Sequence, residues 1–181
     1  MTRSTTDPLL EQLCRERYGS LVALASMLTG SRESAPDLVH EAIIAVFGRR
    51  RSFPSLNSAD AYVRAAIATR FIDGGKKRAN QRTSERRFAV RAPSVVEPPT
   101  IADPELARAL RLLPPRVRAC VVLRFLEDLS TAQTAAALHL SEGAVKRYVS
   151  DGLAVLNREL GTADTATTPP RVSVIPRKEQ S

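Results

Sequence analysis

Two adjacent cations, Lys146 and Arg147, stand among small residues in the stretch HLSEGAVKRYVSDGLAVL, residues 139–156. On a helix, Val145, Val149, Leu153 and Leu156 form one apolar stripe, and Gly143, Lys146, Arg147 and Ser150 form the opposite face. Cations so placed can hold phosphates and donate to base edges, above all to the paired acceptors of guanine. A second concentration of charge lies earlier. Between Arg70 and Arg91 eight Lys or Arg residues, including Lys76, Lys77 and Arg78, face only Asp73 and Glu85. This stretch carries most of the chain's formal charge of +8, and the pI near 10.3 points to a polyanionic partner, nucleic acid foremost.

Other chemistries find little support. The only histidines are His40 and His139, no Cys/His ligand cluster occurs and no glycine-rich phosphate loop is present. The expectation is a binding protein and not an enzyme, with no cofactor and no metal. Cys14 and Cys120 match no metal spacing and are expected to be reduced and at least partly buried in a cytoplasmic protein. No apolar run approaches the roughly 18 residues of a membrane span. The start, MTRSTTDPLLEQL, lacks the apolar core of a signal peptide.

The elements that must position these residues read as helices throughout, since alternating strand patterns are scarce. The expected fold is all-α, with two small helical domains joined by a flexible proline-containing linker, the second a helix-turn-helix. Pro93, Pro98, Pro99 and Pro104 forbid a continuous helix and mark residues 91–104 as the linker between 1–90 and 105–160. Residues 161–181, small, polar and proline-bearing, read as a disordered tail.

In the first half, YGSLVALASMLTG is a helix stopped by Gly30. SAPDLVHEAIIAVFGRR is amphipathic, with Leu38, Val39, Ala42, Ile43 and Val46 on one face. Its other face holds Asp37, His40, Glu41 and Ile44, a solvated face or a docking surface. A further helix is expected from near Ser58, loosening at Gly74-Gly75. It carries Tyr62, Arg64 and Arg70 into the basic cluster, while Phe71 is assigned to the core. In the second half Pro115 opens a helix, Ser130 or Thr131 caps a short one, and Ser141 caps the last. Short helix, tight turn and amphipathic helix make a helix-turn-helix whose second helix enters the major groove.

The stretch LPPRVRACVVLRFLEDLSTAQTAAALHLSEGAVKRYVSDGLAVL resembles the C-terminal promoter-recognition domain of extracytoplasmic-function sigma factors of bacterial RNA polymerase. Leu113-Pro114-Pro115-Arg116, Arg124, Glu127-Asp128-Leu129-Ser130, Ala135, Leu138, Ser141, Gly143 and Val145-Lys146 carry the likeness. LTGSRESAPDLVHEAIIAVF looks like the family's core-binding helix, and ADAYVRAAIATRFIDGGKKR like its promoter-melting helix. The resemblance covers roughly residues 15–160.

It implies a region 2-like domain over 1–90 and a region 4-like domain over 105–160. Asp37, Leu38, His40, Glu41 and Ile44 would meet the clamp helices of the polymerase's largest catalytic subunit, with further contact at its flap region. Phe53, Asn57, Ser58, Tyr62, Arg64, Thr69, Arg70 and Asp73 would engage the −10 element, with Lys76, Lys77 and Arg78 on the phosphates nearby. Ser141, Gly143, Ala144, Lys146, Arg147, Tyr148 and Ser150 would read the −35 element. The family usually has tryptophan at Tyr62, asparagine at Thr69, glutamine at His40 and arginine at Tyr148 and Asp151, and often serine at Arg147. Implied partners are the polymerase core, promoter DNA and an anti-sigma factor, with no membrane. Free protein is also expected to mask its DNA surfaces, by packing its two domains together or with an inhibitory partner protein. The rival reading is a stand-alone helix-turn-helix regulator that binds an operator without polymerase.

Overall fold

A computed structural model describes residues 7–49, 52–81 and 104–161, side chains of 76–81 excepted. Eight helices make up the described residues: α1 (Pro8–Glu16), α2 (Tyr18–Thr29), α3 (Ala35–Phe47), α4 (Leu56–Gln81), α5 (Pro104–Leu112), α6 (Pro115–Phe125), α7 (Thr131–Leu138) and α8 (Glu142–Glu159). The linker and tail fall outside them apart from Pro104 and Gly161.

Local chemistry sets most boundaries. Asp7 starts α1 by accepting the Leu9 N–H at 2.9 Å, ahead of Pro8 in the first turn. This short helix was not among the expected elements, although its Asp-Pro start is legible. Gly30, at φ 68°, ends α2 in the left-handed region. The fourth helix begins at Leu56, earlier than expected, because the Ser55 hydroxyl accepts the Ser58 N–H at 3.2 Å.

The expected loosening at Gly74-Gly75 does not occur. A 26-residue helix, about 39 Å long, runs through both glycines to Gln81. Gly75 instead allows a close approach, since a Cβ there would lie 2.8 Å from Cγ of Pro115 at the start of α6. Cys14 also departs from expectation: it is exposed, whereas Cys120 is buried. Leu13 is the buried residue of α1, and Leu9 and Leu10 pack half-buried against the same core.

Within the first half, α3 and α2 pack on α4, and α1 closes the group; in the second, α5, α6 and α7 surround α8. The two groups also meet. The fourth helix packs on α6 and α7, and α2 on α5 and α6. One apolar core therefore runs from Leu24, Val39 and Ile67 to Leu110, Val122 and Val145. Burying such side chains contributes roughly 1.5–3 kcal/mol each.

Candidate nucleic-acid interface

The helix-turn-helix is built by caps. Ser130 and Gln133 form a reciprocal capping box at α7: the Gln133 N–H donates to Ser130 Oγ at 3.1 Å, and the Ser130 N–H to Gln133 Oε1 at 2.8 Å. His139 then takes φ 53°, and the Leu140 N–H returns to the Ala135 carbonyl at 2.9 Å, which turns the chain sharply. Ser141 opens α8 by accepting the Ala144 N–H at 3.1 Å. Behind α8, Gly152 sits so close to α6 that a Cβ would lie 2.5 Å from Cγ2 of Val121.

This anchoring aims one face of α8 outward. Ser141, Gly143, Lys146, Arg147 and Ser150 are exposed, while Ala144 and Tyr148 are half-buried. Tyr148 packs against the core, and the Arg147 guanidinium lies 5.2 Å from its ring centroid. The ring thus supports the cation beside it.

On α3, Asp37, His40, Glu41 and Ile44 are all exposed, Ile44 at 69 %, and Leu38 is half-buried against the core. Across on α4, Arg70 reaches Glu41 at 3.3 Å, so the face expected to dock and the residues expected at the −10 element adjoin. Phe53 is sandwiched between Phe47 (5.3 Å between centroids) and Tyr62 (5.5 Å), and Tyr62 is 48 % exposed. The stack ends in a ring open to solvent. Asn57 accepts from the Arg17 guanidinium at 3.3 Å, Ser58 is half-buried in the first turn of α4, and Asp73 is exposed. Thr69 turns its hydroxyl back to the Ala65 and Ala66 carbonyls at 3.0 and 3.1 Å. The side chains of Lys76, Lys77 and Arg78 lie outside the described residues.

A groove of about 1500 Å³ collects these groups. Asp37 and Glu41 of α3 form one wall, Tyr62, Thr69, Arg70 and Asp73 of α4 the floor, and Gln133 and His139 the opposite wall beside α7. Lys146 and Arg147 do not line it.

Arg64 is not the exposed cation the sequence led us to expect. Only 17 % of its side chain is exposed, and it bridges Asp60 at 2.8 Å, Ser20 Oγ at 2.8 Å and Glu127 from the α6–α7 loop. Burial raises the Glu127 carboxyl above the usual carboxylate range, opposed by the attraction of Arg64. Arg118 was missed altogether. It is 8 % exposed and donates to the carbonyls of Leu28 (2.7 Å), Arg111 (2.7 Å) and Leu113 (3.2 Å), with its guanidinium 5.4 Å from the Phe71 ring centroid. Burial, reinforced by Arg111, pulls it down to about 10. Its spacing from Val121 and Val122 puts it on the apolar face of α6, which is the signal that could have found it.

Comparison with known proteins follows these lines. Residues 104–156 match the family model for sigma-70, region 4. An RNA polymerase sigma-E factor of Streptomyces antibioticus is 33 % identical over 156 residues, covering 85 % of this chain and 86 % of that protein. The chain belongs to the extracytoplasmic-function sigma factors of RNA polymerase. An extracytoplasmic-function sigma factor, SigF, of Caulobacter vibrioides is 31 % identical, with 76 % of each chain covered. In solved structures, the sigma factor RpoE of Bartonella quintana, crystallised with the anti-sigma factor NepR, matches at a TM-score of 0.63 and 19 % identity, over 84 % of this sigma factor and 97 % of that chain. That likeness speaks to the fold. Relatives matched across both halves are sigma factors, which sets aside the stand-alone regulator. Among the described residues no helix of this sigma factor is long and apolar enough to cross a membrane.

Proposed function

We propose that this sigma factor binds the polymerase core and directs it to promoters, with three surfaces dividing the work. The exposed face of α3, with Asp37, His40, Glu41 and Ile44, docks on the clamp helices, and Leu38 supports it from below. The floor of the groove, with Tyr62, Thr69, Arg70 and Asp73, engages the −10 element, helped by Phe53, Asn57 and Ser58 at its start and Lys76, Lys77 and Arg78 at its end. The outward face of α8 enters the −35 major groove, where Lys146 and Arg147 hold phosphate and base edges. Residues 1–90 and 105–160 act as separate domains when bound, linked by 91–104. No catalytic step belongs to the chain itself; it works by binding, alongside polymerase in the cytoplasm.

The observation that carries this reading is the doubly capped helix-turn-helix, presenting Lys146 and Arg147 on α8 inside the stretch that matches region 4. Because the structural relative was crystallised with an anti-sigma factor, a protein of that class is the natural inhibitor to seek. Purified chain mixed with polymerase core and a promoter library tests the function. Initiation at promoters that core alone ignores is the expected outcome; an identical set of start sites with and without the chain overturns it.

A further inference from the structure

Arg17 stands at the junction of α1 and α2, where both helices use its backbone. Its N–H donates to the Leu13 carbonyl at 2.8 Å and closes α1. Its carbonyl accepts the Leu21 N–H at 3.0 Å and the Ser20 hydroxyl at 2.8 Å, which opens α2. The root of the side chain is therefore fixed. Its end is held too: Nε is shut from solvent, and Nη2 donates at 3.3 Å to Oδ1 of Asn57, in the first turn of α4. The same junction grips α4 a second time, since Ser20 Oγ accepts from Arg64 at 2.8 Å. Asn57 itself is exposed, one helical turn before Ala61, the first residue of α4 to line the groove.

A guanidinium has only donors to offer. The amide beside it must turn its oxygen inward, which leaves the NH2 of Asn57 pointing away, with no second partner among the described residues. An asparagine that uses both amide atoms pairs with N6 and N7 of adenine. One that shows only its donor suits an oxygen instead: O4 of thymine or O6 of guanine, which stand where cytosine and adenine carry amino groups. We propose that Arg17 is a positioning residue for −10 recognition: by holding Oδ1 of Asn57, it makes that side chain a donor-only reader that favours a keto base over an amino base. The inference rests on the reading of Asn57 as a −10 residue. Phosphate contacts cannot supply this discrimination, because every base carries the same phosphate.

Holoenzyme reconstituted with each variant is assayed for initiation on a promoter set in which every base of the −10 element is replaced in turn. With the parent chain, one position is expected to favour thymine and guanine over adenine and cytosine by about fivefold, the worth of one net hydrogen bond. Arg17→Ala brings that ratio close to one while the other positions keep theirs. Arg17→Lys, which also only donates, restores part of it. Asn57→Asp keeps its bond to Arg17 but shows an oxygen outward, so the preference inverts toward adenine and cytosine. Its added charge weakens all promoters alike and cancels in the ratio. Asn57→Ala that leaves every ratio unmoved removes Asn57 from the −10 element, and the inference with it. Should Asn57→Ala flatten one position while Arg17→Ala spares it or lowers all promoters alike, the −10 reading stands and the positioning role is overturned. An Asn57→Asp profile that keeps the parent's preference overturns the donor-only assignment.

Discussion

Tyr18 and His40 are joined twice, through a 3.0 Å hydrogen bond between the phenol oxygen and Nε2 and through stacked rings 5.7 Å apart. The pair ties the second helix to the exposed face of the third. It orients the one aromatic group among Asp37, Glu41 and Ile44, and so stiffens a surface on which Glu41 is held as well, by Arg70.

Asp37→Lys and Glu41→Lys are expected to weaken polymerase core binding by tenfold or more, about 1.4 kcal/mol, with helical content unchanged. Tyr18→Phe, which keeps the stack and loses the hydrogen bond, should have a smaller effect, about 0.5–1 kcal/mol. Titration of labelled variants with core enzyme gives both. Core affinity indifferent to the two charge reversals would remove the docking role from α3.

Arg147→Ala is expected to reduce affinity for a −35 duplex by about 1–3 kcal/mol while leaving the thermal midpoint nearly unchanged, because the side chain is exposed, with its guanidinium over the Tyr148 ring. Lys146→Ala should weaken duplexes of any sequence alike and lower the salt dependence. Competition between matched and scrambled duplexes separates the two. Equal loss for both sequences from Arg147→Ala would reduce it to a phosphate contact.

The pH behaviour of Glu127 runs against the usual expectation for an ion pair. Its carboxyl is raised in the folded protein, by burial first, so the fold prefers the protonated form. The stability it supplies is complete below the ordinary carboxylate range and is lost as pH rises through its folded value. Glu127→Gln, a permanent stand-in for the protonated acid, should match or slightly exceed the parent's urea midpoint at pH 7.5. That difference should shrink toward pH 4. A variant markedly less stable at pH 7.5 would mean that the Arg64 attraction outweighs burial.

Much of this was legible from residue patterns. The buried face of α3 at Val39, Ala42, Ile43 and Val46 follows from helical spacing, and the caps at Ser130 and Ser141 from residue type before an apolar run. What the sequence hid is long-range. Arg64 looks like a free cation beside Tyr62 until Glu127, 63 residues later, arrives against it. Gly75 looks like a helix breaker because propensity counts only the chain's own helix, whereas its value lies in the Pro115 ring packed on it. Arg118 looks like a surface charge because composition cannot see the Leu28 carbonyl 90 residues earlier. At Gly75 tertiary packing outweighs a local preference worth about 1 kcal/mol.

Two glycines of α8 separate fold from function. Gly152 lies against Val121 and Val117, where a Cβ would sit 2.5 and 3.0 Å from β-branched methyl groups that have little freedom to yield. Gly152→Ala gains about 1 kcal/mol in helix propensity and loses about 1–3 kcal/mol to overpacking, so a net destabilisation is expected in urea melts. Gly143, in the first turn, has nothing within 4 Å of the place a Cβ would take. The fold thus gives no reason for glycine there, and Gly143→Ala should stabilise the chain by about 0.5–1 kcal/mol. What a bare backbone does offer at the N-terminal end of a recognition helix is close approach to DNA. The same substitution is therefore expected to weaken −35 binding while raising the melting temperature. Stabilisation with undiminished promoter affinity would show that the helix enters its groove elsewhere.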